Sequence, residues 1–145
     1  MNGLCRIAAA ACGLALAGCA AAPMSFVDAL PTARTDTSLY PVRVVSVDGS
    51  TQFGGYARPV QLHPGTRHLV LEAAPGRSVK GSVQKSFVLQ IEACQRYYFA
   101  AKRTSPMEAD WSLVEGQKEA VAGCDVKDEL RKAERVAQAS LGGAS

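Results

Sequence analysis

Between Val83 and Ala93 the apolar residues fall on alternate positions. Val83, Phe87, Leu89, Ile91 and Ala93 share one parity, and Gln84, Ser86, Gln90 and Glu92 the other. A period of two puts one set in a core and the other in water, so this segment is a strand with one buried face and needs a sheet around it. Lys85 lies on the apolar side near the strand's start, where its stem lies on the core and its ammonium reaches solvent. Other strand-like runs, punctuated by turn residues, surround it. Tyr40–Val47 is rich in β-branched residues and stops at Asp48-Gly49, a strong hairpin pair. Pro59–Leu62 ends at Pro64-Gly65, and His68–Ala73 ends at Pro75-Gly76. Tyr97–Lys102 reads as the partner strand of the alternating segment, returning through a turn near Cys94-Gln95. Trp111–Val114 and Glu119–Ala122 are shorter candidates.

The end of the chain changes texture. Asp125 is placed as an N-cap, Asp128 and Glu129 favour the helix dipole in the first turn, and Val126, Leu130, Ala133, Ala137 and Leu141 recur at helical spacing up to Gly142-Gly143. This predicts a helix over 125–141 with a narrow, alanine-diluted stripe. Such a stripe packs on its own domain, frays, or takes a partner. The expected fold class is therefore mainly β, a small antiparallel β-sandwich over 39–124 followed by a C-terminal α-helix.

The other end carries an address. Arg6 precedes an apolar run, Ile7–Leu16, which is too short to span a bilayer, and the run ends at Leu16-Ala17-Gly18-Cys19. These four residues resemble the lipobox of bacterial lipoproteins. The resemblance implies removal of residues 1–18, a diacylglycerol thioether on Cys19 and usually a third acyl chain on the new amine. Two or three chains hold a protein where one does so only reversibly. Ala20 follows the acceptor where aspartate would signal inner-membrane retention, so the expected location is the outer membrane, facing the periplasm. The other reading is ordinary cleavage near Ala20-Ala21-Ala22. Residues 19–38, rich in Ala, Pro, Thr and Ser, read as a flexible tether; the alternative docks Phe26, Val27 and Leu30 on the domain.

Removing 18 of 145 residues leaves 127, enough for one domain, and lowers the formal net charge from +3 to +2 because only Arg6 is lost. The charges are scattered, without a basic stripe or aromatic interleaving, so nucleic acid is not an expected partner. Of five cysteines, Cys5 and Cys12 leave with the signal and Cys19 is committed to lipid. Cys94 and Cys124 remain as an even pair in an oxidising compartment. They have neither the Cys-x-x-Cys spacing of a redox pair nor metal-ligand partners, so a structural disulfide is expected.

The span Val47–Leu71 is similar to a PEGA-type repeat through Val47-Asp48-Gly49, Arg58-Pro59-Val60-Gln61-Leu62, Pro64-Gly65 and His68-Leu69-Val70-Leu71. That resemblance implies a binding or spacer module of immunoglobulin-like shape with no catalytic residues. The segment from Cys94 onward departs from it.

A search for chemistry returns little. His63 and His68 flank Pro64-Gly65, but with only Glu72 nearby they lack a ligand set, and no metal or other cofactor is expected. No serine sits in Gly-x-Ser-x-Gly or Ser-x-x-Lys, Gly54-Gly55 is not followed by a Walker lysine, and Glu108 and Asp110 read as a solvated loop. The chain is not expected to be an enzyme. Arg96, Tyr98 and Trp111, with Tyr97 and Phe99, form a cluster of types that carry binding energy, and so a candidate interaction surface; the alternative is that the rings fill the core. The expected role is a tethered envelope module, structural or binding another envelope protein or the cell wall. The alternative is a periplasmic ligand-binding or inhibitor domain.

Overall fold

The computed structural model describes residues 22–30, 36–52, 54–56, 58–76 and 81–142. Cys19 and the signal segment 1–18 lie outside them. The elements run β1 (Ser25–Ala29), β2 (Leu39–Val47), β3 (Ser50–Thr51), β4 (Val60–Leu62), β5 (Gly65–Ala73), β6 (Gln84–Ile91), β7 (Gln95–Lys102), β8 (Ser112–Glu115), β9 (Glu119–Ala120) and α1 (Val126–Gly142). The expected class holds, a mainly β protein with one C-terminal helix, consistent with a small β-sandwich.

One strand ties two layers together. The start of β2 (Leu39–Pro41) pairs with β7, while Val42–Val47 pairs with β5. Pro41, with no N–H to donate, sits where β2 leaves one partner for the other, and a bulge between Val44 and Ser46 follows. One layer is built on β7, which carries β1 and then β2 along one side and β9 and β8 along the other, with β4 outside β1. The second layer is β3, β2, β5 and β6. Val27, Leu62, Phe99 and Ala101 from the first layer meet Val42, Val44, Leu69, Leu71 and Ile91 from the second in one core.

Three expectations are corrected. The sheet is mixed, because β1 runs parallel to β7 (Phe26↔Arg96 to Ala29↔Phe99). It also places part of the expected tether in the fold: Ser25 is fully buried and Val27 is 2% exposed, so among the described residues the folded body includes β1 and does not begin near residue 39. Val27 is buried where β1 pairs with β4 on one side and β7 on the other, and no local period announces such a non-local pairing. Finally, β7 is not the hairpin partner of β6. Cys94 adopts φ 60° and the turn carries the chain across to the other layer, so among the described residues β6 pairs with β5 alone.

The punctuation itself behaves as expected. Asp48 (φ 48°) and Gly49 (φ 83°) both take the left-handed region that a two-residue hairpin needs. The Asp48 carboxylate accepts the His68 N–H at 2.8 Å and Arg67 Nη1 at 3.0 Å. Arg67 also donates to the carbonyls of His63 and Pro64, which fixes the Pro64-Gly65 corner. The disulfide joins Cys94 to Cys124 with Cα atoms 5.6 Å apart. Beside it, Ser25 Oγ accepts the Cys94 N–H and donates to the Glu92 carbonyl, tying β1 to the same corner.

Asp125 caps α1 by accepting the Asp128 N–H at 3.0 Å. The only buried residue of α1 is Glu129, which accepts the Met24 N–H at 2.9 Å and Lys132 Nζ at 2.7 Å. Burial alone would raise the pKa of Glu129, but hydrogen bonds from Lys132 and Met24 outweigh it and hold the carboxyl below its ordinary range. Most of the apolar stripe stays in water, with Val126 50%, Leu130 47% and Leu141 82% exposed. No helix among the described residues is long and apolar enough to cross a membrane.

Candidate interaction face

Alternation on β7 divides the aromatic cluster. Tyr97, Phe99 and Ala101 face the core, where Phe99 is 1% exposed and tilts against Tyr97. Arg96 and Tyr98 have the opposite parity and stand on the outer face of the β7 layer. The parallel register with β1 sets Phe26 beside Arg96 and Asp28 beside Tyr98 on that face. Arg96 lies over the Phe26 ring, 5.0 Å from its centroid, and reaches Asp28 at 3.3 Å. Tyr98 donates to Glu119 at 2.8 Å; that bond, and burial after it, raise the phenol's pKa. An open groove of about 700 Å³ runs beside Phe26, past Arg58 and His63 and along β4. A second, of about 340 Å³, lies beside Tyr98 and Lys118. Among the described residues β4 has no strand on its outer side, so the face ends in a strand edge.

Trp111 does not belong to this face. It is 2% exposed, packs on Phe87 at 5.8 Å and donates its indole N–H to the Val83 carbonyl at 2.8 Å. Lys85 covers the ring at 5.5 Å and pairs with Asp110 at 2.7 Å, so its stem lies on the core and its charge reaches the rim. The alternative reading, that Trp111 fills the core, is the correct one for that ring.

Two polar centres were not visible in the sequence. Glu72, only 3% exposed, lies in a row across the second layer between Arg43 on β2 and Gln84 on β6. It accepts from Arg43 at 2.8 Å, from Gln84 at 2.9 Å and from the Tyr56 hydroxyl at 2.7 Å. Burial works to raise the Glu72 pKa, but bonds from Tyr56, Gln84 and Ser82 and the Arg43 charge leave it lowered. Tyr56 moves up to about 12, first by burial and then by its bond to Glu72. A carboxylate so fully engaged holds strands together and is a poor general base.

The second centre is Arg103. It is 3% exposed and stacked 4.2 Å over the Tyr40 ring, and none of Nε, Nη1 and Nη2 has a hydrogen-bond partner among the described residues. Sequence position gave no signal, because the next residues read as a polar loop.

The two histidines stay apart in role. Burial, helped by the Arg67 charge, lowers the His63 pKa, and its buried Nδ1 has no partner among the described residues, whereas His68 is exposed. Among the described residues, no three His, Cys, Asp or Glu side chains converge as a metal site. Compared with protein-family models, curated proteins and solved structures, the chain matches none.

Proposed function

We propose that the chain is a lipid-anchored module of the bacterial cell envelope that acts by binding another envelope protein or the cell wall, without catalysis. The anchor is Cys19 in Leu16-Ala17-Gly18-Cys19, and the location is the periplasmic face of the outer membrane. The observation that carries the interaction role is the half-buried Phe26–Arg96–Tyr98 row between two open grooves. It joins a cation and rings, the side-chain types of interface hot spots, beside a strand edge. The PEGA-like punctuation of Val47–Leu71 supports the same reading, since such modules bind or space.

Two measurements test it. Labelling with a palmitate analogue is expected on the wild type and not on Cys19→Ala; an unlabelled, freely soluble protein overturns the anchor. Cross-linking in intact envelopes is expected to recover one stoichiometric partner, lost in Arg96→Ala/Tyr98→Ala. Recovery indifferent to those substitutions overturns the face.

A second reading, a periplasmic domain that binds a small anion, rests on Arg103. A buried guanidinium whose donors find no partner among the described residues favours a carboxylate or phosphate that reaches it. Under this reading acetate, citrate or phosphate raises the melting temperature of the wild type and not of Arg103→Met.

A further inference from the structure

We infer that α1 lies on the bilayer that holds the anchor, with Val126, Leu130, Ala137 and Leu141 against the boundary between headgroups and acyl chains. The inference rests on the lipid-anchor reading of Cys19.

Chain length carries the argument. The Met24 amide is bound by Glu129 in the first turns of α1. Only five chain steps separate Met24 from Cys19, at most about 18 Å even when fully extended. A domain starting at residue 39 would float well clear of the headgroups; one starting at Ser25 stays within about 18 Å of its anchor. The anchor therefore pulls down on the base of α1. From Glu129 to Leu141 the helix rises about 18 Å, comparable to the reach of the tether itself. The base of the helix is thus confined to the layer of space next to the surface.

The helix is suited to that position. Val126, Leu130, Ala133, Ala137 and Leu141 recur along one side, and the body leaves most of that side uncovered. Lys127, Arg131 and Arg135 take the other side, where they face water and headgroup oxygens. The helix carries four cations and three acids, an excess of one, so apolar contact and not charge provides the attraction. A stripe this narrow is too weak to bind a bilayer from solution. Attached five steps from an acyl anchor, it meets the surface at an effective concentration on the order of millimolar, which converts weak contact into steady docking.

The test uses acylated full-length protein, its Cys19 modification verified by mass, in phosphatidylcholine vesicles with brominated acyl chains. Tryptophan reporters are placed by Leu130→Trp and Leu141→Trp on the stripe and by Arg135→Trp on the opposite side. All three sites are exposed, and native Trp111, buried in the core, gives a constant background. The two stripe reporters are expected to lose roughly half of their own emission and the Arg135→Trp reporter almost none, as for a helix lying in the interface. Unquenched stripe reporters on acylated protein overturn the docking and leave the anchor intact. A blue shift without quenching shows a protein surface, such as a second copy, on the stripe and also overturns it. Absence of acyl mass on Cys19 defeats the anchor reading, and the docking with it.

Discussion

At the residue scale the two buried charges differ in how they are satisfied. Glu72 holds three donors from three directions, and among the described residues Arg103 meets only the face of Tyr40. Burying a guanidinium without acceptors costs several kcal/mol, of which a stacked ring returns about 1–2 kcal/mol. Arg103→Met, similar in length and apolar, is therefore expected to stabilise the protein by about 1 kcal/mol or more in buffer free of polyvalent anions. Urea unfolding checks this, and a clear loss of stability would mean that the guanidinium is bonded in the folded protein. Glu72→Gln is expected to act the other way and cost about 1–3 kcal/mol, since Arg43, Tyr56 and Gln84 keep their donors and lose the charge they were arranged around. A double substitution, Glu72→Gln with Tyr56→Phe, should cost less than the sum of the two, because both break the same bond.

At the element scale, what could be read in the sequence depended on whether the signal was local. The alternation of Val83–Ala93, the Asp48-Gly49 hairpin and the Asp125 cap each lie within a few residues of the element they specify, and all three recur in the fold. β1 gave no such signal. Five residues of mixed polarity become a strand only because β7, about seventy residues later, lies beside them in parallel. The partner of β6 was misassigned for a related reason: sequence adjacency suggests a hairpin, and only the left-handed backbone at Cys94 sends β7 to the other layer. The site was legible in part. Arg96 and Tyr98 were identified by type, while Phe26, Asp28 and Glu119, which complete their face, arrive through β1 and β9 pairing. The corner at Cys94 also predicts a measurable cost. The disulfide closes a loop of sequence separation 30, so on the chain-entropy model reduction should remove roughly 3–4 kcal/mol. Because Ser25 bonds the Cys94 amide, hydrogen exchange after reduction should accelerate first in β1 and at the start of α1. Uniform acceleration across both layers would contradict that order.

At the scale of the whole molecule, carboxylates hold the ends of the fold to its centre. Asp48 fixes the β2–β3 turn to β5, Glu72 bridges β2, β5 and β6, and Glu129 joins α1 to the strand β1. Burial opposes ionisation at all three, yet hydrogen bonds and neighbouring cations leave every one with a lowered pKa. The sign of the linkage follows. Each group binds protons more weakly folded than unfolded, so its contribution is complete above the ordinary values of 3.8 for Asp48 and 4.5 for Glu72 and Glu129. It is lost as pH falls through the lower folded values. Stability should therefore be flat with respect to these groups through neutral pH and fall steeply only below about 4.5. Glu72→Gln and Glu129→Gln should each flatten that fall, Glu129→Gln while loosening α1 alone, because its partners are Met24 and Lys132. Urea midpoints taken from pH 7 down to 3 measure both effects. A midpoint that rises on acidification through this range would reverse the sign argued for all three carboxylates. If only Glu129→Gln left the profile unchanged, α1 would be held to β1 by something other than its one buried carboxylate.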